Sequence, residues 1–121
     1  MKNFLATLFA ALFVLTLTSC DRNNPGDVAD DFCQELVDQD YEAAAQHVYW
    51  KGGEATKDEK IKWVEWCTKN FAEVQDIKTV YIKINRADTK AEVDVEVTLP
   101  KKTQKDVIKL KKVDELWKVD I

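Results

Sequence analysis

The sequence predicts an α+β fold, with N-terminal helices packed on one face of a four-stranded antiparallel sheet. Two observations carry this. Apolar residues recur with a period of about 3.6 from residue 27 to about residue 75, then with period 2 from Lys78 onward. The helices also come as a group before the strands, which places them together on one side of an antiparallel sheet.

The chain opens on an address rather than a folded element. Residues 1–19 hold 13 apolar residues and one charge, Lys2. The run Phe4 to Leu17 is interrupted only by Thr7 and Thr16. It is shorter than the roughly 20 residues that span a bilayer, as expected of a secretory signal. It ends in Leu17-Thr18-Ser19-Cys20. This resembles the bacterial lipobox, in which an aliphatic and two small residues precede a cysteine. The resemblance implies that diacylglycerol alkylates the Cys20 thiol and that cleavage follows just before it. One acyl chain binds membranes marginally, whereas two or three hold firmly. Asp21 resembles the inner-membrane retention signal of enterobacterial lipoproteins. That favours the periplasmic side of the inner membrane, with the outer membrane as the other option. The expected organisation is a signal over 1–19, a lipidated cysteine and polar tether over 20–26, and one domain over 27–121.

Within the domain, Asp27 is a plausible N-cap for a helix to about Asp38, with Val28, Phe32, Cys33, Leu36 and Val37 on one stripe. Asp40 caps a second helix over Tyr41 to about Val48. Gly52-Gly53 breaks the chain. Thr56 and Glu59 match a capping box for a third helix reaching about Gln75. Its apolar arc is Ile61, Val64, Cys67, Phe71 and Val74, with Trp63 and Trp66 at the edge. Four strands follow, separated by turn signals at Ala87-Asp88-Thr89, Pro100-Lys101-Lys102 and Asp114-Glu115.

Phe32, Leu36, Asp40-Tyr41 and Ala44, with the ending Leu116-Trp117-Lys118-Val119-Asp120-Ile121, resemble small nuclear-transport-factor-2-like (cystatin-like) domains. Many short bacterial lipoproteins carry one. The resemblance implies a helix lying across a curved sheet. Some members hold a ligand between the two, and many are accessory domains. Fold alone does not assign function.

Charge and residue types exclude several chemistries. From Cys20 onward the chain carries 17 basic and 22 acidic residues and nine aromatics. There is no basic excess for nucleic acid, and three glycines are too few for a phosphate-cradling loop. The inward sheet face reads as Val80, Ile82, Ile84, Ala91, Val93, Val95, Val97 and Leu99, continuing through Ile108, Leu110, Trp117, Val119 and Ile121. No ionisable group is expected there to serve as a general base. No serine follows Ser19. His47 is the only histidine, so no transition-metal site and no cofactor are expected. His47, Tyr49, Trp50, Trp63 and Trp66 form a possible pocket rim, or else aromatics that plug the open end of the sheet.

Cys33 and Cys67 are an even pair in an exported chain, so a disulfide is the favoured reading and two buried thiols the alternative. Lys101, Lys102, Lys105, Lys109, Lys111 and Lys112 form a basic stretch. It is readable as contact with anionic lipid or as a solvated outer face. The expected function is a lipid-anchored envelope lipoprotein acting as a non-enzymatic binding or accessory module, its partners the membrane and an envelope protein. The alternative is a small-ligand binder or enzyme with a helix–sheet pocket near His47.

Overall fold

The computed structural model describes residues 23–121. The signal over 1–19, Cys20 and Asp21 lie outside the described residues. Three helices, α1 (Pro25–Val37), α2 (Tyr41–Ala45) and α3 (Lys57–Phe71), precede four strands. These are β1 (Asp76–Ile84), β2 (Lys90–Thr98), β3 (Thr103–Val113) and β4 (Leu116–Val119). The strands pair antiparallel in the order β1-β2-β3-β4. The α+β architecture is the one expected.

Local signals explain the helix ends. α1 starts two residues before Asp27, because Asn24 is its cap and accepts from Asp27 N at 2.9 Å. Pro25 fits the first helical position, where its fixed φ suits the helix and its missing N–H costs nothing. The helix ends in a Schellman arrangement. Gln39 takes φ 63°, and Asp40 N donates to Glu35 O at 2.8 Å. The capping box of α3 is present in full. Thr56 Oγ1 accepts from Glu59 N at 3.1 Å, and Glu59 Oε1 accepts from Thr56 N at 2.8 Å. α2 stops at Ala45, short of the expected Val48. Val48 instead bridges Val119 in parallel, tying the segment to the free edge of β4.

The core lies between α1, α2 and the sheet. Val28, Phe32, Cys33 and Leu36 of α1 are buried against Ala91, Val93, Val95 and Leu110. Thr79 Oγ1 donates to Asp30 Oδ1 at 2.7 Å, pinning α1 along β1. α3 is rotated from its expected face. Trp63 and Cys67 are buried, whereas Ile61 is exposed and Val64 and Phe71 are half-buried. The Trp63 indole decides this rotation, because its N–H donates to Tyr41 O at 2.7 Å. A buried indole is usually found with such a partner.

Three corrections concern the sheet face. The β1–β2 register shifts between Thr79 and Tyr81, so Val80 is the extra residue of a bulge. Val80 is therefore exposed rather than inward, and Ile77 and Thr79 lie opposite Val97 and Val95 instead. On β3, Asp106 lies opposite buried Val95 and Gln104 opposite Val97. The helix-facing side thus carries one carboxylate, contrary to the expected all-apolar list. Ile121 is also exposed, not inward.

Cys33 and Cys67 are both buried and free, not bonded. The arcs of their helices are both apolar, but α1 packs mainly on β1 and α2 and less on α3, so burial of both arcs does not by itself bring the two thiols together. Burial pushes each thiol up to about 12. Denatured without reductant, the protein is expected to titrate both thiols. A titre near zero would restore the bond.

Candidate functional site

α1, α3 and the sheet do not close completely. They leave a cleft of about 240 Å³. Phe32 and Leu36 come from α1, Trp66 and Phe71 from α3, and Ile77 and Ile108 from the sheet. The amphipathic stripe of α1 supplies the first pair. The second pair stands on α3 because its Trp63–Cys67 face is turned into the core. Trp66 packs on buried Trp63 at 5.5 Å and on Phe71 at 5.3 Å, so Trp66 and Phe71 form one wall braced from the core. Asp106 and Ile121 sit at the rim, and both are exposed. Asp106 Oδ1 accepts from Val107 N at 2.8 Å. The cleft therefore offers apolar area and a ring surface, with the carboxylates of Asp106 and Asp120 and the ammonium of Lys109 in its lining.

The expected rim residues are divided. Only Trp66 lines this cleft. Trp63 is core. Trp50 is half-buried, donates from Nε1 to Ala45 O at 2.8 Å and meets the Trp63 ring edge-on at 6.1 Å. Tyr49 lies on the outer side, with Lys111 Nζ 3.6 Å from its ring centroid. Tyr49 and Trp50 line a separate crevice with Gly52, Val113 and Lys118.

His47 does not line the cleft either. Its Nε2 lies 3.0 Å from Glu35 Oε1 on α1. The approach is close but not a directed hydrogen bond, because Glu35 Oε1 is buried without a hydrogen-bond partner among the described residues. Burial, then the charges of Asp31, Asp40 and Asp38, pushes Glu35 up to about 7. Burial lowers His47, with Asp31 opposing that and Lys118 adding to it. Both groups thus move toward their neutral forms.

A raised carboxyl contributes stability that is complete below its ordinary 4.5 and lost as pH rises through about 7. His47 acts in the opposite sense: its contribution is complete above its ordinary 6.5 and is lost as pH falls below it. Glu35→Gln is therefore expected to melt higher than the parent above pH 7, by about 1 kcal/mol with solvent screening allowed for. Below pH 4.5 the two should coincide. Thermal melts across this range check it, and a constant offset at every pH would contradict it.

The six lysines do not share a surface. Lys105 and Lys109 lie opposite Glu96 and Glu92 on the outer face. Lys112 is opposite Trp117 and reaches Asp88 at 3.0 Å. Lys101 and Lys102 occupy the β2–β3 turn. Lys111 lies over Tyr49.

Asp106 and Glu35 were missed from sequence. Strict alternation counted back from Leu110 through Ile108 reaches Asp106, so a signal for it existed. Glu35 carried none, since its partner comes from another element. Among the described residues no group of three or more His, Cys, Asp or Glu is placed to hold a metal ion.

No family model matches the chain. No curated protein matches it either. Among solved structures, it is similar to a protein from Campylobacter jejuni named as a candidate NTF2-like transpeptidase. The two share 23% identity over 81% of this chain and 98% of that one, with a TM-score of 0.63. Helix order, sheet order and this likeness agree: the chain has the nuclear-transport-factor-2-like α+β fold.

Proposed function

We propose that the protein is a lipid-anchored module of the cell envelope that binds an apolar segment of a partner in the helix–sheet cleft and catalyses no reaction. The observation that carries this is the cleft itself, apolar along its walls and open to solvent at Asp106 and Ile121. Open apolar concavities with few polar groups are the usual form of a binding site. Anchoring follows from Leu17-Thr18-Ser19-Cys20, and Asp21 favours the inner membrane. No helix of the described residues is long and apolar enough to cross a membrane.

The C. jejuni protein is named for acyl transfer between peptides. That chemistry commonly uses a hydroxyl or thiol nucleophile activated by a neighbouring base. Here Cys33 and Cys67 are buried and held as neutral thiols, and no serine follows Ser19. His47, the one imidazole, is paired with Glu35 away from the cleft. These facts support a binding role over a transpeptidase role, and they favour the helix–sheet cleft over a pocket near His47.

Ile108→Trp, at a half-buried wall position, is expected to fill the cleft. Binding of an apolar fluorescent dye, followed through the dye's own emission, should weaken roughly tenfold or more, as for loss of a buried side chain's contact area. Crosslinks to envelope proteins in native membranes should fall with it. Trp66→Leu gives a second reading without overpacking. Unchanged dye binding in both folded variants would sink the proposal.

A further inference from the structure

We propose that the end of the sheet at which the N-terminal segment emerges rests on an anionic bilayer, with Leu116 against its surface and Lys90, Lys111 and Lys118 facing its headgroups. The inference rests on the lipid-anchor reading of Cys20.

The first observation is where the chain leaves the domain. Asn23 Oδ1 accepts the backbone N–H of Trp117, near the start of β4, at 3.0 Å in a half-buried contact. Asn24 then caps α1. The chain is therefore fixed to the domain from Asn23 onward. Only Asp21 and Arg22 separate Asn23 from Cys20, a reach of about 10 Å. A lipid on Cys20 would hold this end of the sheet directly against the membrane.

The second observation is the charge pattern at that end. Lys90 lies opposite Lys111, and Lys111 opposite Lys118, on the outer face. Like charges directly opposite one another are destabilising unless a counter-charge is supplied. The adjacent row, Lys83–Glu92–Lys109, alternates in sign and supplies its own. Within the lysine row, Lys118 Nζ donates to the neutral Gln46 O at 3.1 Å and Lys111 Nζ lies over Tyr49. Neither contact cancels a charge. Arg86 lies in the β1–β2 turn at the same end. The acids there are Asp88, which is held by Lys112 at 3.0 Å, and Asp114 and Glu115 in the β3–β4 turn.

Leu116, beside that turn, is 45% exposed. Lysine stems let the ammonium groups reach headgroups while a neighbouring apolar side chain meets the acyl boundary. The Lys101–Lys102 turn sits at the opposite end of β2 and β3, about 30 Å away for strands of this length. Anchored this way, the lysine-rich turn faces away from the membrane. Ile77 and Val97, which line the cleft, lie toward that outward end.

The test uses the full chain as the lipoprotein, reconstituted into phosphatidylcholine vesicles with and without phosphatidylglycerol. Leu116→Cys and Lys101→Cys each receive an environment-sensitive dye, while buried Cys33 and Cys67 remain unlabelled in the folded protein. A lipid-borne quencher is expected to quench the dye at position 116, more strongly with phosphatidylglycerol, and to spare the dye at 101. Equal or reversed quenching overturns the proposal. Lys90→Gln, Lys111→Gln and Lys118→Gln together should remove the phosphatidylglycerol-dependent increase, and its persistence would also overturn it.

Failure of the anchor reads differently, as a Cys20 without lipid. The surface is then tested with an unlipidated Cys20→Ala chain beginning at residue 20, which lacks the apolar residues 1–19 that would bind vesicles by themselves. Its binding to phosphatidylglycerol vesicles should weaken roughly tenfold or more in the triple variant, but not in Lys101→Gln with Lys102→Gln. The opposite order refutes the surface.

Discussion

Trp63→Ala is expected to lower the unfolding free energy by about 3–5 kcal/mol, the range for removing a buried aromatic ring. Trp63 is 6% exposed and joins three elements. Its ring meets Phe32 of α1 at 6.1 Å, Trp50 at 6.1 Å and Trp66 at 5.5 Å. Its N–H is the donor to Tyr41 O at the start of α2. Removing it opens a cavity and also removes the hydrogen bond that ties α3 to the Tyr41 carbonyl. A small domain has only about 5–15 kcal/mol in total, so the variant should be close to its threshold at ambient temperature. Trp63→Phe separates the two losses. It keeps most of the ring area and drops the hydrogen bond, at about 0.5–1.5 kcal/mol. Trp66→Ala, at a 43% exposed position, should cost about 1 kcal/mol, the worth of its ring contacts. Urea midpoints with unchanged slopes measure all three. Equal losses for Trp63→Ala and Trp66→Ala would mean that the ring wall, and not the Trp63 anchor, holds α3 in place.

That anchor also shows why part of the fold was legible in the sequence and part was not. The capping box at Thr56 and Glu59 was readable because both partners lie in one turn. The alternation in β2 was readable because α1 covers one face and solvent the other. The rotation of α3 was not. Ile61–Val64 and Trp63–Cys67 are both acceptable apolar faces, and the choice between them depends on a carbonyl of α2. The bulge at Val80 was hidden for a related reason. An inserted residue within Thr79-Val80-Tyr81-Ile82 leaves a run that still looks like a strand, yet it turns Ile77 inward and Val80 outward.

The candidate site follows the same division. Phe32 and Leu36 were placed correctly by the α1 stripe. Trp66 was singled out, but as the edge of a pocket around His47 that the structure splits in two. The disulfide failed because apolar arcs say which side of a helix is buried and not which helix it meets. Cys33 and Cys67 are both in the core, yet α1 packs mainly on β1 and α2 and less on α3. Charge was misleading at the level of chain order. Six lysines close in sequence spread over a turn, an outer face and a helix-facing rim. Lys90, Lys111 and Lys118, from three strands, align only once the register is known.

On the proposed anchoring through Cys20, Cys20→Ala is expected to abolish lipid attachment. The diacylglycerol thioether requires a sulfur at this position, and alanine keeps the small size while removing the nucleophile. Acyl anchoring gains about 0.8 kcal/mol per buried methylene, and two or three chains make it stable. Against that, the contact proposed for the lysine row is modest, about 1 kcal/mol per lysine near an anionic surface. Loss of the lipid should therefore dominate whatever the domain surface retains. Cells fed a labelled fatty acid should incorporate label into the parent protein and not into the variant. Intact mass of the parent should correspond to a chain beginning at residue 20 with its acyl groups. The variant tests processing as well, because a peptidase that requires the modified cysteine leaves residues 1–19 attached. Fractionation alone would confuse that uncleaved apolar segment with an anchor, so label and mass are the deciding measurements. Label retained by Cys20→Ala would show that the attachment lies elsewhere in the chain and would remove the reason for placing the Leu116 end of the sheet at the membrane.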